Sequence, residues 1–234
     1  MFDELKDIPR AWNKALRSRS FRNQLIISML VMTAGSFYNF HYLREWQARQ
    51  GIEINDYVLI FLQPHDFSVP IFFIEYCTIL LVIAFTLPYP DRFVKGLQIL
   101  TITILARTWC VYLLPLEPPK DMLFLHDPLA DLLLHSRTVL VTKDLFFSGH
   151  ISVLSVLVLI SSNKYVKCIA IVATVLVGVM IIWQHVHYSI DILFAPIVAF
   201  VSYKLVLFAH KESRYGLNLH RNNQSIETGE PEVN

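Results

Sequence analysis

The sequence has few of the residues that build metal sites. Its three cysteines, Cys77, Cys110 and Cys168, lie inside apolar runs and have no metal-like spacing. There is no HExxH pair, no Cys/His cluster and, near the histidines described below, no run of carboxylates suited to Mg²⁺. We therefore predict no metal and no cofactor, and we expect the cysteines to be small buried hydrophobic residues.

Charge is also scarce. Charged residues make up 17% of the chain and its formal net charge is +1. Because no basic stripe is present to neutralise phosphates, the composition argues against nucleic-acid binding. The sequence also lacks GxxxG pairs and coiled-coil heptads, so it indicates no particular oligomeric state.

Long apolar runs dominate the chain instead. Hydrophobic residues reach 54% and the mean hydropathy is +0.46, too apolar for an ordinary soluble domain. Most of the runs approach the ~20 residues that span a bilayer core. We predict an all-α polytopic membrane protein with six transmembrane helices, at residues 24–43, 69–87, 94–114, 145–160, 166–183 and 188–208.

The distribution of Lys and Arg predicts the topology. Taken together, residues 1–23, the second and fourth connections and the tail hold more of these residues than the other connections do together, which places both termini in the cytoplasm. We predict three parts: a cytoplasmic lead (1–23), amphipathic or disordered and not a cleaved signal; a six-helix catalytic domain (24–208); and a disordered cytoplasmic tail (209–234).

The third connection, residues 115–144, is then long and extracytoplasmic. Its apolar stretch 122–134 is interrupted by Asp127 and Asp131, and we expect it to lie along the membrane surface as a lid. His126 and His135 in the same connection could be taken for metal ligands, but their spacing is unspecific.

A histidine and an aspartate open the last apolar segment. If Trp183–Asp191 is helical, His187 and Asp191 stand at i and i+4 on one face. A carboxylate there fixes the tautomer of the imidazole and stabilises its positive charge, which suits a nucleophile or a base.

The predicted topology brings further polar residues to the same outer level. His150 also lies at an outer helix end, while Arg107 and Glu75 lie about 10 Å and about 9 Å deep at 1.5 Å per residue. Ionisable residues at such depth are costly unless they are paired or face a wet cavity. A Glu75–Arg107 pair that only tethers two helices stays open beside a substrate-binding role.

These groups permit phosphoryl transfer without a metal. Phe147-Ser148-Gly149-His150 opens one helix and His187 opens another, so backbone N–H groups and two helix dipoles can face an anion. One histidine would attack phosphorus and the other would protonate the leaving oxygen.

Two motifs resemble those of a known family. Asp144-Leu-Phe-Phe-Ser-Gly-His150 and His185-Val-His187-Tyr-Ser-Ile-Asp191 are similar to the catalytic motifs of the sphingomyelin synthase family, a branch of the type 2 phosphatidic acid phosphatase superfamily. The Arg107–Pro119 stretch resembles a further segment of that family.

The resemblance implies a six-helix membrane enzyme with an extracytoplasmic or lumenal site. It implies that His187 is the nucleophile that becomes a phospho-histidine, that Asp191 supports it, and that His150 is the acid and base. The donor would be a glycerophospholipid and the acceptor ceramide, diacylglycerol or another lipid alcohol. The residues expected to bind substrate are Arg107, Ser148, Gly149, Asp144, Glu75, His185 and Tyr188.

Two alternatives to this function remain. Phosphatase relatives use water as the acceptor, and their pattern places an arginine six residues before the nucleophile, where this sequence has Ile181. That difference favours the synthase-like branch. A non-catalytic lipid-binding membrane protein is the other alternative, although such a protein has no need of three polar residues at lipid depth.

Overall fold

The computed structural model describes residues 7–128, 142–143 and 145–228, with side chains described except at positions 40, 43, 44 and 212–228. Within these ranges the chain forms eight helices and no strand. They are α1 (Ile8–Arg17), α2 (Arg19–Ala48), α3 (Tyr57–Ile60), α4 (Ser68–Thr86), α5 (Pro90–Leu113), α6 (Gly149–Ile160), α7 (Lys164–Trp183) and α8 (Ser189–Thr228).

Local sequence signals set several helix starts. The Ser18 hydroxyl accepts a hydrogen bond from the Phe21 N–H at the start of α2, and the Asn163 side chain accepts from the Tyr165 N–H at the start of α7. Pro90 occupies the first turn of α5, where a backbone N–H would have no hydrogen-bond partner within the helix, so its absence costs nothing. Each cap satisfies donors that the first turn of a helix leaves unpaired.

The long helices alternate in direction, so the bundle has two distinct ends. At one end, the Ser148 N–H donates to the Asp191 carbonyl and the His65 N–H donates to the Trp183 carbonyl. At the other end, the Nε2 atom of His210 lies 2.8 Å from the Gln98 side-chain oxygen. The starts of α4, α6 and α8 therefore share one end of the bundle with the ends of α5 and α7.

Helix α6 is short and central. Its 12 residues rise about 18 Å, and it packs against α4, α5, α7 and α8. Ile151 and Leu154 of α6 are fully buried against Ile71, Val177 and Ala195 of its neighbours. The helix that carries His150 is thus held from several sides.

Four described helices have the length and composition to cross a membrane: α4, α5, α7 and the Ser189–Lys211 part of α8. The predicted fourth span forms α6, which is too short by itself. The predicted first span lies within α2, whose 30 residues suffice in length but include polar residues such as Thr33, Ser36 and Asn39. The six-span topology and the cytoplasmic placement of both termini stay predictions.

The cysteine prediction was wrong for two of the three residues. Cys77 and Cys168 are exposed on the bundle, and Cys110 is partly buried. They lie among outward-facing apolar side chains such as Leu80 and Ile169. In a helix that spans a membrane, apolar side chains and small residues such as cysteine can face lipid instead of the protein interior, because hydrocarbon surrounds the bundle.

The first and the last described helices lie in the parts predicted as lead and tail. Trp12 of α1 packs edge-on against Phe21 and Phe93, and its indole N–H donates to the Leu87 carbonyl. Helix α8 continues to Thr228, beyond residue 208, where we predicted the last span to end and a disordered tail to follow. The division into lead, catalytic domain and tail stays a prediction.

The connections at the α5 end are tied to the end of α2. Ile52 exchanges backbone hydrogen bonds with Pro115 and Glu117. The Glu117 carboxylate accepts from the Gly51 N–H and from the Lys143 ammonium, each at 2.8 Å. The beginning of the long connection is thereby tied to the segment that follows α2, and its end is tied to its beginning through Lys143 and Glu117. Of the predicted lid, residues 129–134 lie outside the described residues.

This tie makes stability depend on pH. The hydrogen bond from Lys143, together with that from Gly51, holds the pKa of Glu117 below its usual value of 4.5. A lowered carboxylate pKa contributes stability above 4.5 that is lost as the pH falls through the folded-state value. We therefore expect the melting temperature in detergent to fall below pH 4.5. In Lys143→Met this fall should shrink, and an identical fall in the variant would contradict the assignment.

Candidate active site

The first histidine pair lies at the start of α8. His187 Nδ1 is 3.2 Å from Asp191 Oδ2, and the Tyr188 N–H donates to the same oxygen at 3.1 Å. His187 precedes the helix, so the contact arises because Asp191 in the first turn reaches back to the preceding turn. With Nδ1 held by the carboxylate, Nε2 is the nitrogen left for chemistry.

The second pair joins α6 to α4. His150 Nδ1 lies 2.6 Å from Glu75 Oε2, and the imidazole packs edge-on against the Phe72 ring. Glu75 is buried, so the carboxylate is removed from water and aimed at the ring. The sequence left open a pair between Glu75 and Arg107; in the structure the carboxylate pairs with His150.

Arg107 lies against the start of α6. Its Nε donates to the Phe147 carbonyl at 2.7 Å. A methyl group added at Gly149 would stand 3.4 Å from the guanidinium carbon. Glycine therefore leaves the guanidinium close to the backbone where α6 begins, and both features favour an anion.

These groups line one cavity of about 480 Å³. Glu75, Arg107, Gly149, His150 and His187 all line it. Both imidazoles, each with its own carboxylate, therefore face a single space at one end of the bundle. Phe124 and Leu125 of the long connection also line it. That this connection lies along the membrane surface as a lid stays a prediction.

Three other predicted site residues are not brought to this cavity. His185 and Tyr188 line a separate pocket on the other side of the turn, and the Ser148 hydroxyl is buried without a hydrogen-bond partner among the described residues. His185 has a left-handed φ of 58°, which turns the chain so that neighbouring side chains face different ways. The predicted residue Asp144 lies outside the described residues.

The structure adds polar residues that were not predicted to line the site. Asn39, Thr103 and Asp127 line the cavity, and the Tyr76 hydroxyl donates to Asp127 at 2.6 Å. Thr103 stands four residues before Arg107 on one helix face, which is a signal that the sequence carried. Asn39 is a polar residue inside an apolar segment, another available signal.

The site contains a nucleophile, a group that can carry a proton and a cation for the phosphate oxygens, which are the groups that nucleophilic transfer of a phosphate group requires. His187 offers Nε2, His150 can move a proton, and the Arg107 guanidinium is suited to phosphate oxygens. Within the ranges that the structure describes, no three His, Cys, Asp or Glu side chains are grouped to hold a metal ion.

Residues 143–210 match the family model described as PAP2 superfamily C-terminal. The match supports a relationship to the type 2 phosphatidic acid phosphatase superfamily. No curated protein and no solved structure matches the chain.

The PAP2 match covers His150, His187 and Asp191, and leaves Glu75 and Arg107 outside its range. Less than a third of the chain is matched, but that part holds both histidines that face the cavity. The superfamily suggests lipid phosphatase or phosphotransferase activity in a membrane.

Proposed function

We propose that the protein moves a phospho-alcohol head group from a glycerophospholipid to a lipid alcohol, through a phospho-histidine on His187. The site would lie on the extracytoplasmic side, as the distribution of Lys and Arg predicts. The observation that carries the proposal is that two histidine–carboxylate pairs face one cavity.

In the first half-reaction, His187 Nε2 attacks phosphorus and a P–N bond forms. The bond between phosphorus and the glycerol oxygen breaks. His150 gives its proton to that oxygen, so diacylglycerol leaves as the neutral alcohol. Asp191 stabilises the positive charge that develops on His187, and Arg107 holds the phosphate oxygens.

In the second half-reaction, the acceptor hydroxyl gives its proton to His150. Its oxygen attacks phosphorus, the P–N bond breaks, and His187 is regenerated. The proton that left His150 in the first half is restored in the second. Glu75 holds Nδ1 of His150 throughout, so the opposite nitrogen faces the reacting oxygen in both steps.

A phosphodiester donor suits the number of cations in the cavity. Ile181, where phosphatase relatives carry an arginine, is fully buried in the apolar core. A phosphodiester carries one negative charge and a phosphomonoester carries up to two. Arg107 is the one Lys or Arg among the described cavity residues, which favours the diester.

The test uses purified protein in micelles with phosphatidylcholine labelled in the choline. We expect a labelled lipid product that requires added ceramide, or a diacylglycerol whose acyl chains differ from those of the donor, and that is absent in His187→Gln. Release of free phosphocholine at a rate unaffected by the alcohol would favour a hydrolase that uses water. If a panel of donors yields neither product nor a phosphorylated histidine, the protein is a non-catalytic lipid binder.

A further inference from the structure

The first helix, α1, has two different sides. Its partly buried residues are all apolar and follow one side of the helix: Ile8, Ala11, Trp12 and Ala15. Arg10, Lys14 and Arg17 are exposed, and their spacing of four and then three residues places them together on the opposite side. These three residues are called the basic stripe below. Neither half-reaction proposed above uses them.

Contacts with the bundle fix the depth of α1. The Trp12 indole N–H donates at 2.8 Å to the carbonyl of Leu87, the residue directly after α4, and the ring packs edge-on against Phe93 near the start of α5. Both α4 and α5 are long and apolar enough to cross a membrane. The 19 residues of α4 rise about 28 Å, close to the ~30 Å of a bilayer core. Leu87 and α1 therefore lie at the depth of the lipid head groups, where tryptophan is enriched.

The corner between α1 and α2 is held as well. Arg22 Nη1 donates to the Leu16 carbonyl at 2.9 Å and to the Arg17 carbonyl at 3.3 Å. These carbonyls belong to the last turn of α1, where the helix itself supplies no partner. Because α1 is held both at this corner and through Trp12, the fold determines where the basic stripe lies.

The end of the bundle that carries the basic stripe has few acidic side chains to offset it. Exposed basic residues of other helices lie at the same end: Arg19, Arg22, Arg92, Lys164 and Lys167. Among the side chains described at this end, the acidic ones are Asp7 and Asp91. Asp7 lies 3.4 Å from Arg10, but both side chains are well exposed, so this ion pair is weak. Such an excess of cations attracts anions.

We propose that α1 is an interfacial helix whose basic stripe binds the head groups of anionic phospholipids. The depth of α1 decides this partner, because cations held at head-group level meet lipid phosphates and the long side chains of Arg and Lys extend to reach them. Each basic residue near an anionic membrane surface contributes about fivefold in affinity. Binding does not require the transfer reaction, so it stands or falls separately from the proposed function.

The test is the tryptophan fluorescence of the full chain in bilayer discs of phosphatidylcholine that contain a brominated lipid, since bromine quenches tryptophan only at short range. Trp12 lies at the basic end, whereas the other three tryptophans lie near the ends of α2, α5 and α7, at the opposite end: Trp46, Trp109 and Trp183. At equal mole fraction, we expect brominated phosphatidylglycerol to quench more than brominated phosphatidylcholine, with a preference of at least about fivefold.

This excess quenching should vanish in Trp12→Phe, which removes the reporter, and should shrink at high salt, which screens charges. Equal quenching by the two brominated lipids would overturn the proposal. An excess that persists in Trp12→Phe would also overturn it, because the anionic lipid would then lie at the other end of the bundle.

Variants locate the binding residues. Arg10→Gln, Lys14→Gln and Arg17→Gln should each lower the preference by up to about fivefold, and together they should nearly abolish it. Arg10→Lys combined with Arg17→Lys keeps the charge and should keep the preference. Lys120→Gln, which removes an exposed cation at the opposite end, is the matched control and should change nothing.

Quenching by brominated phosphatidylcholine should be the same in all these variants, which shows that α1 stays in place. A preference that survives neutralisation of the whole stripe would contradict the assignment. So would a preference that is lost in the lysine pair or in Lys120→Gln.

Discussion

Replacing His187 with glutamine is expected to abolish head-group transfer and covalent labelling of the protein. Glutamine can still hydrogen-bond to the Asp191 carboxylate, so the turn before α8 keeps a partner. It has no nucleophilic nitrogen, so no P–N bond forms. Loss of a nucleophile typically costs about 10⁴-fold or more in turnover.

The measurement is retention of labelled head group on denatured protein after a short incubation with labelled donor lipid. A phospho-histidine is labile in acid and stable in base, which separates it from phosphoserine. His210→Gln is the matched control: its Nε2 contacts Gln98 at the opposite end of the bundle, so turnover should be normal. Full turnover in His187→Gln would contradict the role of His187 as the nucleophile.

Asp191→Asn is expected to slow the reaction without abolishing it. Asparagine keeps an oxygen for the Tyr188 N–H, so the start of α8 is preserved. It loses the charge that stabilises the imidazolium of His187, and we expect turnover to fall roughly 10²- to 10⁴-fold with the protein still folded. Activity equal to that of the unchanged protein would show that the buried carboxylate serves only the helix start.

Local patterns made part of this site predictable. His187 and Asp191 are four residues apart, a spacing that brings side chains together on a helix, and here Asp191 of the first turn of α8 reaches back to His187. The apolar runs that became α4, α5, α7 and α8 were predictable for a similar reason, because length and composition alone decide whether a helix can span a bilayer.

Other features depend on distant parts of the chain. The partner of His150 is Glu75, 75 residues away, and that pairing depends on how α4 and α6 are rotated against each other. His185 and Tyr188 flank His187 in sequence but line a separate pocket, because the chain turns at His185. The spacing of residues along the sequence predicts neither of these arrangements.

Replacing His150 with glutamine is expected to lower transfer from a lipid donor by roughly 10²- to 10⁴-fold, the usual contribution of a general acid or base. The loss has a chemical signature, since the leaving alkoxide of diacylglycerol needs a proton. A donor whose leaving group is a nitrophenolate does not. His150→Gln should therefore form the labelled His187 from nitrophenyl phosphocholine at close to the normal rate, while remaining slow with phosphatidylcholine.

Glu75→Gln extends this test to the residue behind His150. Glutamine can still hydrogen-bond to Nδ1, but it lacks the charge that stabilises the imidazolium across the 2.6 Å contact. We expect a smaller loss than in His150→Gln, and the same recovery with the nitrophenyl donor. Burst measurements of nitrophenolate release in the single and double variants check this.

The double variant distinguishes a shared role from two separate ones. If Glu75 acts through His150, then Glu75→Gln adds little once His150 is already glutamine, because residues that act as a unit are not additive. Additive losses, or a nitrophenyl donor that fails in His150→Gln, would mean that this pair shapes the cavity and moves no proton. Because the nitrophenyl reaction still requires His187, its persistence in the same variants also rules out loss of fold as the cause of slow lipid transfer.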